Sequence, residues 1–167
     1  MKKPGDEIVQ IIDADNRETG QCSRALMREQ RLIHRACSIL VFNNRKQLFI
    51  QKRTATKDIY PGYWDIAAGG VVLAGESYQQ SAERELMEEL GIAVNPLTFR
   101  FDFYFEDPAN RVWSRVFTCT HEGPFSLQAE EIEHGCFLSV DEALELSRRE
   151  AFTPDGLEIL HRIKDIA

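Results

Sequence analysis

Hydrophobic residues recur along the chain with two different spacings, which predict a mixture of strands and helices. Residues 36–42 form an apolar run interrupted only by Ser38, which is typical of a strand buried on both faces. After residue 77 the apolar positions recur every four residues instead, at Ala82, Leu86 and Leu90. Because this spacing places them on one side of an α-helix, the segment is predicted to be an amphipathic helix that packs on a sheet.

Alternating apolar positions, turn residues and capping residues predict the remaining elements. Further strands are expected at residues 7–14, 47–53, 64–68, 98–106, 111–121 and 136–138, and further helices at residues 23–32, 139–147 and 155–163. The strands at 36–42 and 47–53 are separated by a polar turn and are expected to form a hairpin. This order of elements predicts an α+β fold in which helices flank a mixed sheet.

The 167 residues are enough for one domain with a sizeable core, and no repeat or linker divides them. Residues 1–33 are interpreted as an N-terminal extension that packs on the domain formed by residues 34–167. A chain break is expected at residues 95–96, where Asn precedes Pro.

The helix after residue 77 carries three glutamates, Glu85, Glu88 and Glu89, within an arc of about 100° on one face. Like charges three or four residues apart on a helix repel, so helix stability does not explain this arrangement. A divalent cation would remove the repulsion, and carboxylate oxygens are the ligands that Mg²⁺ and Mn²⁺ prefer. The face is therefore a candidate metal site.

Residues on either side of the helix start fit the same interpretation. Ser77 and Gln80 form an S-x-x-Q capping box, which predicts where the helix begins. Before it, Gly70 permits a tight turn or a close approach to a ligand. Glu76 and Arg84 carry opposite charges, and a bidentate contact between them would hold the loop in place.

Composition and charge narrow the classes of function. A net charge of −7 argues against binding to nucleic acid or to an anionic membrane surface. No signal peptide or apolar run of spanning length is present, so a cytoplasmic location is expected. The four cysteines match no zinc-binding spacing and suit a reducing compartment.

The segment from Gly70 to Ile92 resembles the Nudix box, G-x5-E-x7-R-E-U-x-E-E-x-G-U, where U is a bulky aliphatic residue. Every motif position is matched, at Gly70, Glu76, Arg84, Glu85, Leu86, Glu88, Glu89, Gly91 and Ile92. The resemblance implies the Nudix-type α/β/α sandwich over roughly residues 34–165. It also implies metal-dependent hydrolysis of the diphosphate linkage in a nucleoside diphosphate joined to another group X.

Carried over by motif position, Glu85 and Glu89 are the expected metal ligands, with Glu88 as a third, and Mg²⁺ or Mn²⁺ as the metal. The resemblance implies that Arg84 and Glu76 orient the site and that Gly70 shapes its loop. The general base is left open between a box glutamate and one outside the box, for which Glu130, Glu131 and Glu133 are candidates. The expected partner is a small-molecule diphosphate, and the protein is expected to be a monomer or a homodimer.

Two alternatives remain. Residues 34–64 resemble isopentenyl-diphosphate isomerases of the Nudix fold in their HRA, FN, QKR and P-G-x-W segments. Those enzymes use a cysteine shortly after the tryptophan, and residues 65–69 of this chain contain none. The second alternative is a Nudix fold retained as a ligand-sensing module, although such proteins usually lose box glutamates and this chain has lost none.

Overall fold

The computed structural model describes residues 2–93 and 96–165, and its elements follow the predicted order except for strand β2, which no pattern in the sequence predicted. The strands are β1 Ile8–Ile12, β2 Glu18–Ser23, β3 His34–Phe42, β4 Leu48–Arg53, β5 Trp64–Asp65, β6 Ala68–Val71, β7 Thr98–Glu106, β8 Arg111–Thr120 and β9 Ile132–Leu138. The helices are α1 Arg24–Gln30, α2 Tyr78–Leu90, α3 Val140–Leu146 and α4 Pro154–Lys164. The break predicted at residues 95–96 lies partly outside the described residues.

Strand β3 lies at the centre of the sheet. Most of its residues are apolar because both faces of a central strand are covered. It pairs in parallel with β8 over its whole length, from His34 opposite Val112 to Phe42 opposite Thr120. Its other edge pairs antiparallel with β6, while β1 and β4 join at its two ends. Strand β7 extends the sheet beyond β8, and β9 extends it beyond β4. The sheet is therefore mixed, as predicted.

Side chains of β3 alternate between two hydrophobic cores, because successive residues of a strand point to opposite faces. Cys37, Ile39 and Val41 pack in one core with Ala82, Leu86 and Leu90 of α2. Leu40 packs in the other core, to which α4 contributes Ile159, Leu160 and Ile163. Helices thus cover both faces of the sheet, and the α/β/α sandwich expected from the Nudix resemblance is confirmed.

Two strand predictions need correction. The hairpin of β3 and β4 forms only at its turn, where Phe42 opposes Leu48. Further along, the same edge of β4 pairs with β5, and its other edge pairs with β9. Residues 64–68 are not one strand, since Asp65 accepts a hydrogen bond from the amide of Ala67 and the chain turns there. The two halves then join different partners, β5 with β4 and β6 with β3.

Strand β9 begins at Ile132, four residues earlier than the apolar run at residues 136–138 indicates. Its first residues, including His134 and Gly135, are recruited by pairing with β4 rather than by their own propensity. Gly135 is required there because a Cβ atom would lie 2.4 Å from the Phe49 ring.

The N-terminal residues pack against the domain. Strand β1 pairs with β2 and with the first residue of β3. Helix α1 follows its N-cap Ser23, whose side chain accepts a hydrogen bond from the Leu26 amide. Val9 and Met27 are fully buried together with Val71 of β6. This core places α1 beside the strand that leads into the Nudix-like motif. In the described ranges, no helix is long and apolar enough to cross a membrane.

Candidate active site

Helix α2 is held in position at both ends and along one face. The Ser77 hydroxyl accepts from the Gln80 amide at 3.1 Å, and the Gln80 side chain accepts from the Ser77 amide at 2.9 Å. These bonds form the predicted capping box. At the other end Gly91 adopts a left-handed conformation with φ of 70°, which favours glycine. The apolar stripe is buried, so the acidic face has a defined position relative to β6.

Gly69 and Gly70 let the acidic face approach the backbone of β6. The Gly69 amide donates to Glu89 Oε2 at 3.1 Å. A Cβ atom on Gly70 would lie 2.6 Å from Glu85 Oε1, and one on Gly69 would lie 2.0 Å from the carbonyl oxygen of Cys37. Glycine is therefore required at Gly69, where the neighbour is backbone, whereas a side chain at Gly70 would displace the Glu85 carboxylate. The role of Gly70 in shaping the loop stays a prediction.

Two of the three glutamates are buried next to each other. Glu89 is only 6% exposed, and burial followed by the charge of Glu85 raises its pKa to about 8. Burial also raises the pKa of Glu85, although Arg84 partly opposes this. Glu88 differs, because its side chain is about half exposed. The acidic face therefore places two carboxyl groups, Glu85 and Glu89, where burial and their mutual repulsion oppose ionisation.

Arg84 connects the loop to the acidic face. Its Nε and Nη2 atoms donate to the two carboxylate oxygens of Glu76 at 2.7 and 3.1 Å, which is the bidentate contact predicted from the charges. Its Nη1 atom donates to Glu85 at 2.9 Å and to Glu88 at 3.2 Å. Burial opposes the charged guanidinium, but the hydrogen bond to Glu76 and the nearby glutamates raise the pKa of Arg84 above its ordinary value.

The donor set suits a hard divalent cation. Glu85 and Glu89 offer carboxylate oxygens whose repulsion a cation would relieve. Among residues 2–93 and 96–165, no three His, Cys, Asp or Glu side chains are already arranged so that they could hold a metal ion. Mg²⁺ commonly takes one or two protein carboxylates and completes its shell with water and substrate phosphates. The two buried glutamates, with Glu88 at their edge, therefore fit such an ion.

A cavity of about 90 Å³ borders the backbone of Gly69 and Gly70 and is called here the glycine-lined cavity. Charged side chains from four segments line it, namely the basic residues Arg24, Arg28, Arg53 and Lys57 and the acidic residues Asp58, Asp65 and Asp155. Asp58 contacts Arg24 at 3.3 Å and Arg28 at 3.1 Å, and Asp65 contacts Arg53 at 3.3 Å. The cavity therefore offers cationic groups for phosphate oxygens next to the acidic helix.

Charges in this cavity act on α2 and on each other. Burial and then Arg53 lower the pKa of Lys57, whereas Glu89 partly offsets them, so Lys57 lies within electrostatic reach of the acidic face. Asp155, near the start of α4, is buried, and burial followed by the charge of Asp65 raises its pKa to about 6. The cavity and the glutamates therefore form one electrostatic unit.

Residues outside the box have different positions, both the two cations at the end of β4 and the candidate bases, of which Glu130 is exposed. Arg53 lines the glycine-lined cavity, whereas Lys52 lies over the Trp64 ring, 5.3 Å from its centroid. Glu131 forms an ion pair with Lys57, and Glu133 is exposed. Sequence reasoning missed Arg24, Arg28, Lys57, Asp65 and Asp155 as residues that line the cavity. They are single charges scattered over the chain, and no local pattern marks them.

Comparison with known proteins agrees with this geometry. The family model described as the NUDIX domain matches residues 32–162, which is most of the chain. The chain belongs to the Nudix family. The matched range includes every position of the Nudix box, so α2 and the loop before it are the family's defining segment.

Curated relatives carry the same family name. An uncharacterised Nudix hydrolase of Pseudomonas aeruginosa is 45% identical over 95% of this chain and 94% of its own length. The uncharacterised Nudix hydrolase YfcD of Escherichia coli is 45% identical over 92% of this chain and 84% of its own length. Both alignments exceed the length of the NUDIX domain match, so they include residues outside it.

Solved structures support the fold. A crystal structure of a Deinococcus radiodurans protein superposes with a TM-score of 0.81 at 23% identity and covers 93% of this chain and 98% of its own. The NUDIX domain of Shewanella oneidensis NrtR, crystallised with ADP-ribose, superposes with a TM-score of 0.64 at 13% identity and covers 79% of this chain and 86% of its own. At these identities the likeness concerns the fold alone.

Proposed function

We propose that this Nudix protein hydrolyses the diphosphate linkage of a nucleoside diphosphate joined to another group X. One observation carries the proposal. The buried carboxylates of Glu85 and Glu89 contact the glycine backbone that borders a cavity lined by four cationic side chains. A diphosphate needs cationic groups around its oxygens and a polarising cation at the bridge, and the residues proposed for these two tasks lie on either side of the Gly69–Gly70 backbone.

The residues divide this work between them. Glu85 and Glu89, with Glu88, would hold a divalent cation, which when bound supplies charge neutralisation for the phosphate oxygens. Arg84 keeps Glu85 and Glu88 in place and, through Glu76, fixes the loop that follows Gly70. Glu88 and Glu89 are the two box carboxylates proposed to accept the proton of the attacking water. Arg53 and Lys57, which line the glycine-lined cavity, are the cations proposed to contact phosphate oxygens.

The isomerase alternative is not favoured by the site. Residues 65–69 supply no cysteine, and the buried thiol nearest to the acidic face is that of Cys37, on β3. Burial, followed by the charge of Glu85, raises the pKa of Cys37 to about 12, so this thiol stays protonated and unreactive. The ion pair of Arg84 with an intact set of glutamates also suits a metal-dependent hydrolase better than a sensing module.

A substrate panel tests the proposal. Purified protein with Mg²⁺ or Mn²⁺ would be incubated with ADP-ribose, nucleoside diphosphate sugars, dinucleotide cofactors, deoxynucleoside triphosphates and isopentenyl diphosphate. Monophosphate, pyrophosphate or isomer would then be quantified by chromatography. We expect cleavage of at least one mixed diphosphate and loss of that activity in Glu89→Gln. Isomerisation of the prenyl diphosphate without hydrolysis, or tight binding of a panel member without any turnover, would contradict the proposal.

A further inference from the structure

We propose that Arg24 and Arg28, on helix α1 of the N-terminal extension, bind a phosphoryl group of the substrate and so determine specificity. The inference rests on the proposed function for the identity of the ligand as a diphosphate. Both arginines lie outside residues 32–162, the range that matches the NUDIX domain. The assignment therefore gives a role to a segment that the family motif does not explain.

The two arginines lie at the junction of two cavities. Both line the glycine-lined cavity, together with the backbone of Gly69 and Gly70. Both also line a second cavity of about 440 Å³, called here the extension cavity, to which Pro4, Gly5 and Ala25 contribute. The first volume suits a compact group, since about 90 Å³ equals roughly three water molecules. The second lies within the range of small-molecule pockets, roughly 300–1,000 Å³.

The arginines retain hydrogen-bonding capacity. Their guanidinium groups share one carboxylate, Asp58, at 3.3 and 3.1 Å. Arg24 also contacts Glu7, and Arg28 donates to Asn110. Within the described part of the chain, the buried Nε atoms of Arg24 and of Arg53, which lines the same cavity, have no hydrogen-bond partner. A buried donor without an acceptor is unfavourable, and a guanidinium that turns its Nε towards an anionic oxygen in the cavity would gain the missing bond. Phosphoryl oxygens match arginine better than any neutral ligand does, because charge-assisted and bidentate bonds form.

The positions of the cations favour one mode of binding. When the P–O–P bridge of the substrate lies near Gly70, one phosphoryl group lies at the acidic helix and the other lies towards Arg24 and Arg28. The group X then lies in the extension cavity, whose remaining walls include Thr56, Glu130 and Glu131. Asp58 competes with the substrate for the arginines. Burial opposes ionisation of Asp58, but Arg24 and Arg28 lower its pKa to about 2, so it remains charged at neutral pH.

Imidodiphosphate, a diphosphate analogue with a P–N–P bridge, is a suitable probe because its binding can be measured without turnover. Its dissociation constant would be measured by calorimetry with Mg²⁺ for the wild type, Arg24→Met, Arg28→Met and Arg28→Lys. Loss of one charge-assisted contact predicts at least about tenfold weaker binding for either Met variant, and a smaller loss for Arg28→Lys. Arg17→Met is the matched control, since Arg17 belongs to the extension but is 77% exposed and lines neither cavity.

Asp58→Asn separates binding from support of the loop. If Asp58 competes with the phosphoryl group, the variant binds imidodiphosphate more tightly than the wild type. If the arginines only hold the loop through Asp58, then Asp58→Asn binds imidodiphosphate as tightly as the wild type or more weakly. That result makes the proposal wrong, even when the arginine variants also bind more weakly. Wild-type affinity in both Met variants overturns it as well. Should Arg28→Met lack a cooperative melting transition, Arg24→Met and Arg28→Lys decide the question.

The calorimetric result is independent of the hydrolase proposal. A protein that cleaves no diphosphate but loses imidodiphosphate affinity in Arg24→Met and Arg28→Met has the subsite without the activity. A protein that cleaves a mixed diphosphate with unchanged KM in both variants has the activity without the subsite. The two failures are therefore distinguishable.

Discussion

Individual residues of the acidic face have unequal roles, although they occupy equivalent positions in the motif. Glu89 is buried and bonded to the Gly69 amide, Glu85 is buried against Gly70, and Glu88 is half exposed. Burial of two like charges is unfavourable until a cation neutralises them. Glu89, the most buried of the three, is therefore the glutamate whose ionised form most needs a bound metal.

Glu89→Gln is expected to abolish hydrolysis and to leave the fold intact. The change removes one negative charge from the proposed metal site but keeps an acceptor for the Gly69 amide. Since burial raises the pKa of Glu89 to about 8, the metal-free side chain is largely protonated at neutral pH, and the melting temperature without metal should stay close to that of the wild type. Steady-state kinetics at saturating Mg²⁺ and thermal melts in chelator would check both expectations.

Glu83→Gln is the control for this change, because Glu83 lies on the same helix and is exposed. It should retain wild-type turnover. A Glu89→Gln enzyme that hydrolyses substrate at the wild-type rate would exclude Glu89 as a metal ligand.

Arg84 and Glu76 are expected to act as a coupled pair. Arg84→Ala should cost about 2–4 kcal/mol of transition-state stabilisation, since a misplaced loop disorders the metal ligands and water together. Glu76→Ala should cost no more, because Arg84 keeps its contacts to Glu85 and Glu88. The double variant should then resemble Arg84→Ala alone, as measured by kcat/KM in a double-mutant cycle.

An exposed ion pair provides the comparison for this cycle. Arg148 and Glu145 lie 3.0 Å apart on side chains that are 76% and 57% exposed, and replacing either by Ala should leave kcat/KM unchanged. Strictly additive losses at Arg84 and Glu76 would mean that the two residues work independently. The hydrolase proposal would survive that result.

At the scale of elements, helix α2 and strand β6 form one unit. Strand β6 provides two glycines, and α2 provides the side chains that pack against them, so the site depends on the position of the helix start. The capping box at Ser77 determines where α2 begins. A second capping box begins α3 at Ser139 with the same reciprocal bonds, but α3 contributes no described residue to either cavity.

Removal of the two caps should therefore separate stability from activity. Ser77→Ala and Ser139→Ala should each lower the free energy of unfolding by about 1 kcal/mol, because each leaves an amide without its acceptor. Only Ser77→Ala should also reduce kcat, since Glu76 directly precedes this cap and would lose its fixed position. Urea unfolding and kinetics on both variants would test this. Equal activity in both variants would show that the loop does not depend on the cap.

At the scale of the whole molecule, metal binding should couple to folding. The pair of Glu85 and Glu89, which is proposed to bind a cation in the native state, has no counterpart in the unfolded chain. Mg²⁺ at 100 times its dissociation constant should stabilise the protein by about 2.7 kcal/mol. For a domain of this size the melting temperature should rise by roughly 5–10 °C. Differential scanning calorimetry with Mg²⁺ or with excess chelator would measure the shift.

The double variant Glu85→Gln with Glu89→Gln should show no such shift at matched ionic strength. Chelator should also stop hydrolysis by the wild type, and added Mg²⁺ or Mn²⁺ should restore it. Undiminished hydrolysis in excess chelator would contradict the proposed metal dependence.

The sequence by itself determined what depends on local spacing. The four-residue repeat of Ala82, Leu86 and Leu90, the cap at Ser77 and the adjacent glutamates lie within about four helical turns, so helix periodicity decides their arrangement. The pairing of Glu76 with Arg84 also follows from spacing, because the loop is short and the charges are opposite. The central burial of β3 was visible in its mostly apolar sequence.

Only the tertiary structure decided which distant segments meet. Arg24 and Asp155 are 131 positions apart, yet both line the glycine-lined cavity, and no local pattern relates them. The early start of β9 and the division of residues 64–68 depended on which strands pair, and pairing energy overrides local propensity. The physical reason is the sequence separation of the interacting residues. Helical contacts join residues three or four positions apart, whereas a cavity is lined by side chains that only the folded chain brings together.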